Sequence, residues 1–512
     1  MINEIGISVS IVSYMILMLA IGIWSSKQNA STDDFYLGGR RLGPVVTAMS
    51  AEASDMSSWL LMGLPGIAYI SGLADASWTA IGLALGTYLN WLLVAKRLRR
   101  YTIKANNSIT IPSFFANRFR DKSRILLAVS AIWILIFFIP YTASGFAACG
   151  KLFHTLFGVN YIFAMLVSAA VIILYTMLGG FLAASTTDLV QSIVMTVALV
   201  IVVLFGINAA GGLDRVIENA RGIAGYLSLR QMGNSNAPQT ATPYTFMQAF
   251  ANLAWGLGYF GMPHILLRFM AIGDEKKIKV SRRIASVWVL ISMAVAIFIG
   301  IVANAMSKAG AIAVAKTSAD AENSIIRIAH LLSGNGLGFA LLAGVILAGI
   351  LACTMSTSDS QLLAASSSFS ENLLVEVFGL SLTEKQRVLA ARLTVIAIAL
   401  LSVFIARDPD SSVFAIVSFA WAGFGAAFGP VMLLALFWRR ANRYGAIAGM
   451  ISGGVMVFAW KYLVRPLGGV WDIYELLPAF LVSALLMIAV SLVTPAPSRE
   501  MTEEFDAVRR GD

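Results

Sequence analysis

Residues Ala51–Gly66 read AEASDMSSWLLMGLPG, and this polar stretch lies inside a segment that is otherwise apolar enough to cross a membrane. Glu52 and Asp55 are costly at bilayer depth, and the glycines and the proline interrupt a regular helix. Irregular polar backbone survives in a membrane only where it is buried in protein or lines a cavity. The stretch therefore predicts a broken transmembrane helix of the kind that forms ion and substrate sites in secondary transporters.

The composition of the chain is typical of an integral membrane protein. Apolar residues make up 58% of the 512 positions and charged residues 12%, whereas about 25% of residues are charged in soluble proteins. The sequence predicts an all-α polytopic protein with 13 transmembrane helices, since 13 apolar runs reach the roughly 20 residues that a span needs. These runs lie near residues 6–26, 42–72, 76–98, 124–153, 161–181, 187–208, 244–272, 281–306, 336–372, 386–406, 413–437, 443–464 and 473–494.

The distribution of basic residues predicts the orientation of these helices. Most of the 37 lysines and arginines fall in alternate loops, and the opposite loops hold few. Loops rich in Lys and Arg face the cytoplasm. With 13 spans, this places the N-terminus outside and the C-terminus inside the cell. The basic clusters lie at residues 27–41, 96–124, 276–283, 385–392, 439–443 and 499–510.

A second interrupted segment, Ala251–Met270, reads ANLAWGLGYFGMPHILLRFM. Three glycines and Pro263 break it, and Trp255 and Tyr259 add polar-tipped rings. It lies five spans after the first broken helix, and broken helices at matching positions of two halves are typical of inverted repeats. We expect two inverted five-helix repeats. The expected division of the chain is 1–35 (extra N-terminal helix and loop), 36–210 (first repeat, spans two to six), 211–440 (second repeat, spans seven to eleven), 441–495 (two peripheral helices) and 496–512 (cytoplasmic tail).

Two further polar clusters interrupt the apolar runs. Cys353–Gln361 reads CTMSTSDSQ, and on a helix Ser356, Asp359 and Ser360 share one face. Hydroxyls join packed helices by hydrogen bonds, but a run of five with an acid favours a site for a hard cation. Gly179–Gln191 reads GGFLAASTTDLVQ, in which the double glycine suits a tight turn and Asp188 is placed to cap the sixth span. Capping does not exclude ion binding.

The Gly179–Gln191 pattern resembles a signature of the sodium:solute symporter family. The stretches SDMSSWLLMGLPG, WGLGYFGMPHILLRFMA, MSTSDSQLL, AWAGFGAAFGP and YLGGRRLGP most resemble its bacterial sodium/proline symporters, and the likeness runs from about Tyr36 to Pro478. The resemblance implies a leucine-transporter-type fold and sodium-coupled import of L-proline across the bacterial inner membrane by alternating access. It implies Na⁺ as the coupling ion and no organic cofactor. The expected partners are the substrate, Na⁺ and the lipid bilayer, with no nucleic acid and no obligate protein partner.

The resemblance also assigns residues to sites. The sodium site corresponds to the backbone carbonyls of Ala53, Met56 and Cys353 and the hydroxyls of Ser356 and Thr357, with Asp55 implied in sodium coupling. Half-helix N-termini suit a carboxylate, and aromatic faces suit an aliphatic ring and an ammonium, so the substrate site fits a small zwitterion. Each of its aromatic rings taken alone also fits a packing or interfacial role. The implied substrate-binding residues are Ser57, Ser58, Trp59, Tyr141, Trp255 and Tyr259.

Four positions depart from the family pattern. Glu52 stands where a small residue is usual, Ser58 where glycine is usual, and Met262 where glutamine is usual. Ser58 and Met262 bear on the identity of the substrate. Asp359 takes the place of a small hydroxyl.

In some relatives the positions of Asp188, Ser356, Asp359 and Ser360 contribute to an additional sodium site. We therefore hypothesise a second cation or proton site at Asp188, Asp359 and Ser360, because two close carboxylates must share a cation or a proton. The alternative is that Asp359 faces cytosolic water and binds nothing.

Other functions fit the sequence less well. A sodium- or proton-coupled symporter of another small amino acid or carboxylate is the nearest alternative, and a transporter-like sensor is one from a different class, although no soluble domain follows residue 494. The absence of a P-loop disfavours ATP-driven transport. Polar residues cluster midway along the spans, which disfavours a channel. Without an HExxH motif or a nucleophile beside a histidine, the chain is not expected to be an enzyme.

Overall fold

The computed structural model describes residues 2–26 and 32–511, so Lys27 of the first basic cluster lies outside the described residues. Its regular structure is almost entirely helical. One antiparallel pair of strands, β1 (Gln231–Gly233) and β2 (Ala241–Pro243), belongs to the described part. The helices are α1 (Ile2–Ser26), α2 (Thr32–Leu37), α3 (Pro44–Ser58), α4 (Leu64–Ser71), α5 (Leu73–Leu89), α6 (Lys96–Lys104), α7 (Ile111–Arg118), α8 (Ile125–Phe157), α9 (Tyr161–Ala209), α10 (Leu213–Arg221), α11 (Phe246–Leu253), α12 (Pro263–Ala271), α13 (Ile278–Lys308), α14 (Ser318–Ala321), α15 (Ser324–Ser333), α16 (Leu337–Ser367), α17 (Glu384–Ile405), α18 (Val413–Phe437), α19 (Arg443–Ala459), α20 (Leu476–Val493) and α21 (Arg499–Arg510).

Many of these helices are long and apolar. In the described residues, 10 are long and apolar enough to cross a membrane, and Tyr161–Leu174 is a shorter apolar helix. Leu481, Leu485 and Leu492 on α20 are exposed at helical spacing, as on a face that meets lipid. The prediction of an all-α polytopic protein is confirmed.

Both predicted helix breaks are present. After α3 the chain makes a π-helical turn over Trp59–Gly63 and continues as α4. In the second segment a 3₁₀ stretch, Ala254–Gly261, separates α11 from α12. Pro65 and Pro263 each stand in the first turn of the helix after the break, where a missing N–H is tolerated.

The junction of the fifth and sixth predicted spans is a kink and not a loop. Gly180 inside α9 has φ 61° and ψ −167°, a conformation open to a residue without a Cβ atom, so the helix resumes at once. Asp188 consequently lies well inside the helix that follows. The prediction that it caps an N-terminus is wrong.

Glycines allow the second broken segment to approach α5 closely. An added Cβ atom on Gly86 would lie 2.3 Å from the carbonyl oxygen of Gly256, and one on Gly256 would lie 2.2 Å from that of Gly82. Gly82 and Gly86 are four residues apart, the spacing that lets helix backbones approach in membranes. The close approach holds the 3₁₀ stretch that carries Tyr259 against α5. Next to α5, Asn90 Nδ2 donates a 3.0 Å hydrogen bond to the carbonyl of Tyr259.

The basic clusters gather at one end of the helices. Arg40, in the turn before α3, donates to the carbonyl of Met270 at 2.8 Å. Three ion pairs connect other loops at this end: Arg100–Glu275 at 2.7 Å, Arg120–Glu504 at 2.6 Å and Arg439–Asp506 at 3.0 Å.

Candidate functional site

The first helix break is located at Ser57. Its φ of 47° and ψ of −171° are rare for a residue with a side chain, and such conformations concentrate at functional sites. The Ser57 hydroxyl accepts a 3.1 Å hydrogen bond from the Trp59 amide. The break ends the regular helix in the middle of the protein, where backbone groups of the last turn have no helical partner.

The predicted sodium ligands come from α3 and α16, which pack together. Ser356 Oγ donates to the carbonyl of Ala53 at 2.8 Å and lies 3.2 Å from that of Cys353. Thr357 Oγ1 donates to the same Cys353 carbonyl at 3.1 Å. All these residues, and Met56 one turn after Ala53, are buried. The structure therefore brings neutral oxygens of both helices together, a donor set that suits a hard monovalent cation.

Asp55 connects the two broken helices. The hydroxyl of Tyr259, in the second break, donates to Asp55 Oδ2. The hydroxyl of Tyr141 on α8 donates to the Asp55 carbonyl at 3.3 Å. Asp55 is buried, so these contacts hold a carboxylate between the predicted ion and substrate residues.

Aromatic rings enclose a small cavity beside Asp55. The rings of Trp59 and Trp255 are 5.8 Å apart, and Trp421 Nε1 donates to the Trp255 carbonyl at 2.8 Å. The cavity measures about 10 Å³, close to the space of a single water molecule. A molecule larger than water fits here only if these rings move apart. The lining residues are Asp55, Met56, Trp59, Leu83, Tyr141, Trp255, Val417 and Trp421.

Two buried polar groups at the break have no protein partner. Ser58 Oγ and Trp59 Nε1 make no hydrogen bond within the described part of the chain. Buried polar groups are nearly always hydrogen-bonded. Both groups are donors, so they are available to an acceptor such as a carboxylate.

A larger cavity adjoins the aromatic rings and shares Trp255 with the small cavity. It measures about 400 Å³, and Trp255 and Phe414 are among its lining residues. Phe414 also packs 6.2 Å from the ring of Trp59 and 5.5 Å from that of Trp255. The cavity lies at the start of α18, at the end of the protein opposite the basic clusters, which include Arg439 just after α18. Trp255 and Phe414 thus separate this vestibule from the small cavity.

The predicted substrate residues fall into two groups. Trp59, Tyr141 and Trp255 line the small cavity. Ser57, Ser58 and Tyr259 do not line it and lie at the helix breaks beside it.

Sequence reasoning missed four residues of this region. Leu83 and Val417 carried no signal, because each is an apolar residue in an apolar helix. Phe414 likewise carried none. Trp421 stood in the quoted motif AWAGFGAAFGP and was the one with a signal.

Asp188, Asp359 and Ser360 do come together, but around an arginine that the sequence reasoning did not include. Arg268 on α12 pairs with Asp188 at 3.2 Å and also donates to Ser360 Oγ. Ser360 Oγ lies 3.0 Å from Asp359 Oδ1. Asp359 is 0% exposed, so the alternative that it faces cytosolic water is wrong.

The departures from the family pattern are also buried. Glu52 accepts a 3.1 Å hydrogen bond from Trp91 Nε1. Met262 is fully buried and directly precedes α12.

The fold is similar to that of two solved transporters. A Na⁺-coupled sialic acid symporter matches with a TM-score of 0.77 at 19% identity, covering 97% of this chain and 99% of that one. Mhp1, a nucleobase-cation-symport-1 family transporter in a closed conformation, matches with a TM-score of 0.53 at 15% identity, covering 93% and 99%. These likenesses concern the fold alone.

Sequence comparison is more specific. The chain is 41% identical to the sodium/proline symporter of Salmonella typhimurium, over 96% of this chain and 94% of the relative. It is 42% identical to the high-affinity proline transporter PutP of Bacillus subtilis, over 96% and 98%. The sequence profile of the sodium:solute symporter family matches residues 35–453. With this match and these identities, the chain belongs to the sodium:solute symporter family.

Proposed function

We propose that the protein is a sodium-coupled secondary symporter that imports L-proline by alternating access. The observation that carries the proposal is the hydrogen bond from Ser356 to the Ala53 carbonyl, directly beside an aromatic cavity with two unsatisfied donors. The relatives at 41% and 42% identity are named as proline transporters. No chemical conversion and no organic cofactor enter the proposal.

In this proposal Na⁺ binds between α3 and α16. The ligands are the carbonyls of Ala53, Met56 and Cys353 and the hydroxyls of Ser356 and Thr357. Sodium ligands that are neutral bind an ion firmly enough to load it and weakly enough to release it. Asp55 contributes a nearby negative charge and, through Tyr259, links the ion site to the second broken helix.

The substrate binds next to the first break. Ser58 Oγ and Trp59 Nε1 supply hydrogen bonds to the proline carboxylate, which satisfies both donors. The faces of Trp59 and Trp255 enclose the pyrrolidine ring and its cationic nitrogen. Ser57, Tyr141 and Tyr259 complete the set by holding the break and Asp55 in place.

Coupling follows from the shared helix. Na⁺ joins α3 to α16, and the same helix break carries the substrate donors, so each ligand orders the site of the other. Such coupling is reciprocal: Na⁺ tightens substrate binding by the factor by which substrate tightens Na⁺ binding. The 400 Å³ vestibule gives the entry route, and Trp255 and Phe414 must separate for the substrate to reach the site.

The architecture that we propose has 13 transmembrane helices. It counts the broken segments 44–71 and 246–271 as single spans and the two parts of α9 as separate spans. Spans two to six (36–210) and seven to eleven (211–440) form two inverted repeats, with peripheral helices at 1–35 and 441–495. The support is the occurrence of one broken helix in each half.

The protein resides in the bacterial inner membrane with its N-terminus outside and its C-terminus in the cytoplasm. The support is the meeting of the basic loops and α21 at one end of the protein, for example through Arg120–Glu504. Loops rich in arginine and lysine mark the cytoplasmic side.

Uptake of labelled L-proline into proteoliposomes tests this proposal. We expect accumulation under an inward Na⁺ gradient and none when choline replaces Na⁺. Competition by unlabelled amino acids and small carboxylates then ranks the substrates. Sodium-driven uptake of another compound, with no uptake of proline, would refute proline as the substrate but would leave the proposed ion site intact. Accumulation without Na⁺ would refute the coupling.

A further inference from the structure

Glu52 is a buried acid that the proposed sodium and substrate sites do not use. It stands where a small residue is usual, one helical turn before Asp55 on α3, and the two residues are 1% and 6% exposed. Their carboxyl groups lie close enough to interact electrostatically. Within the described residues, no lysine or arginine pairs with either acid. Buried charges without a partner are strongly destabilising, and two close carboxylates share a cation or a proton.

The segment that faces Glu52 is a widened turn of helix. Directly after α5 the chain forms a π-helical turn over Asn90–Ala95, and such turns are frequent at functional sites. Trp91 Nε1, in this turn, donates to Glu52 Oε1 at 3.1 Å. Asn90 Nδ2 donates to the carbonyl of Tyr259 at 3.0 Å. The turn therefore connects Glu52 to the second broken helix.

Three oxygen atoms next to these contacts lack a hydrogen-bond partner. Glu52 Oε2, Asn90 Oδ1 and Thr87 Oγ1 make no hydrogen bond within the part of the chain that the structure describes. Each of these residues is 1% exposed. Thr87 lies one turn before Asn90 and beside the Tyr259 hydroxyl, at a geometry that makes no hydrogen bond. Buried oxygens are nearly always paired, so a cluster of unpaired ones indicates a binding position.

Tyr259 brings these groups around one place. Its hydroxyl donates to Asp55 Oδ2, and its ring also interacts electrostatically with Glu52. Carboxylates from α3, the hydroxyl of Thr87 and the amide oxygen of Asn90 therefore approach Tyr259 from two separate segments. Carboxylate, hydroxyl and amide oxygens are the ligands that hard cations prefer.

We propose that a second sodium ion binds between α3 and the segment 87–90. Its ligands are Glu52 Oε2, the Asp55 carboxylate, Thr87 Oγ1 and Asn90 Oδ1. The ion offsets the charge of the buried acids and satisfies the unpaired oxygens. This site is distinct from the one proposed between α3 and α16, because it takes no ligand from α16. The inference rests on the proposed symport function and extends it.

A sodium ion at this position acts on both helix breaks. It joins α3, which carries the first break, to the turn whose Asn90 holds the carbonyl of Tyr259 in the second. Its binding is therefore coupled to the positions of both broken segments, and such coupling is reciprocal between the ligands. Because Glu52 supplies a carboxylate where a small residue is usual, the site depends on a departure of this chain from the family pattern.

Equilibrium binding of radiolabelled Na⁺ to the purified protein in detergent is the first test. We expect about two Na⁺ per protein at saturation and about one in Glu52→Gln, which keeps the shape of the side chain but removes its charge. A number of bound ions that Glu52→Gln leaves unchanged would overturn the inference, while sodium-coupled uptake stands. If Na⁺ drives no proline uptake in proteoliposomes, the proposed function itself fails.

The sodium dependence of proline uptake is the functional readout. Two coupled sodium sites should give a Hill coefficient for Na⁺ approaching about two, and Glu52→Gln should lower it to about one. A Hill coefficient of about one in the unaltered protein, with uptake driven by an inward pH gradient that Glu52→Gln abolishes, would assign a proton to Glu52 and overturn the sodium site.

The variant Thr87→Val separates ion binding from folding. Since the Thr87 hydroxyl has no hydrogen bond, valine should leave the melting temperature in choline chloride unchanged or higher. The rise of the melting temperature with NaCl should be smaller than in the unaltered protein, because ligands stabilise the folded state by mass action. Thr79→Val, at another buried threonine of α5, should keep the full rise. An equal rise in Thr87→Val would contradict the proposal, and this comparison decides even if Glu52→Gln does not accumulate.

Discussion

Ser356 Oγ donates a 2.8 Å hydrogen bond to the carbonyl of Ala53, although the two residues are 303 positions apart in the chain. The hydrogen bond joins two helices, because Ala53 precedes the break in α3 and Ser356 lies within α16. In the proposed function, Na⁺ bound to both oxygens would replace this hydrogen bond by two ion contacts. The contact between α3 and α16 is therefore the one through which we propose that the ion acts on the broken helix.

The substitution Thr357→Ala should weaken the binding of both Na⁺ and proline. It removes one of the proposed sodium oxygens, so we expect the Na⁺ concentration for half-maximal uptake to rise about tenfold, which corresponds to ~1.4 kcal/mol. Proline affinity at fixed Na⁺ should fall as well, because coupling is reciprocal. Sodium titrations of proline uptake measure both.

Thr354→Ala is the matched control for this experiment. Thr354 is a buried threonine on the same helix, and its hydroxyl donates to the carbonyl of Ile350 at 2.9 Å. Its removal should leave the sodium dependence unchanged. An unchanged sodium dependence in Thr357→Ala would remove Thr357 from the ion site.

The substitution Trp255→Ala should act mainly on the substrate. Trp255 packs 5.8 Å from Trp59 and forms the floor of the vestibule, but the proposed sodium ligands lie on other helices. Its loss should raise the proline concentration for half-maximal uptake about tenfold or more, with a smaller change in sodium dependence. Trp471→Ala, a tryptophan that is 48% exposed, is the control. Equal losses of apparent affinity for proline and for Na⁺ would indicate that Trp255 acts in coupling and not in substrate binding.

The substitution Tyr259→Phe should reduce sodium coupling. It deletes the hydroxyl that donates to Asp55 Oδ2 and leaves a buried carboxylate with one hydrogen bond fewer. Such a loss costs about 1–3 kcal/mol. We expect lower proline uptake at limiting Na⁺, measured beside Tyr462→Phe, whose ring is 60% exposed. Full uptake at all Na⁺ concentrations would show that Asp55 does not need this contact.

The substitution Gly256→Ala should disrupt the second broken segment. The added methyl group would lie 2.2 Å from the carbonyl oxygen of Gly82, so α5 and the 3₁₀ stretch must separate. Displacement of Trp255 and Tyr259 follows, and uptake should be lost even where protein reaches the membrane. Gly338→Ala adds its methyl group where nothing lies within 4 Å and should be tolerated. Normal uptake by Gly256→Ala would show that the segment is loosely packed.

A buried ion pair on the vestibule side should be important for stability. Lys151 Nζ lies 3.1 Å from Glu322 Oε2, and both side chains are at most 5% exposed. Lys151→Met leaves the carboxylate buried without a cation, which costs about 3–5 kcal/mol. The melting temperature should fall clearly. Arg215→Met breaks an exposed pair with Glu218 and should change it little. A similar melting temperature in both variants would show that the buried pair is solvated.

Local sequence was sufficient to place the interrupted helices. The polar residues of Ala51–Gly66 and the glycines of Ala251–Met270 predicted breaks that the structure shows at Ser57 and over Ala254–Gly261. The prediction held because bilayer depth leaves few ways to satisfy an irregular backbone. The end of the fifth span was less well placed. Gly180 allows a kink without a loop, and periodicity does not distinguish the two.

The sequence by itself determined the helical class of the protein, the two breaks and the family, since each depends on composition or on motifs that are contiguous in the chain. Only the tertiary structure decided which residues meet. The pairing of Arg268 with Asp188 is an example, because an arginine at the end of an apolar helix carries no sign of the carboxylate 80 positions away that neutralises it. The closed packing of Phe414 and Trp421 over the cavity is another, since helix packing and not local periodicity brings these rings to Trp255.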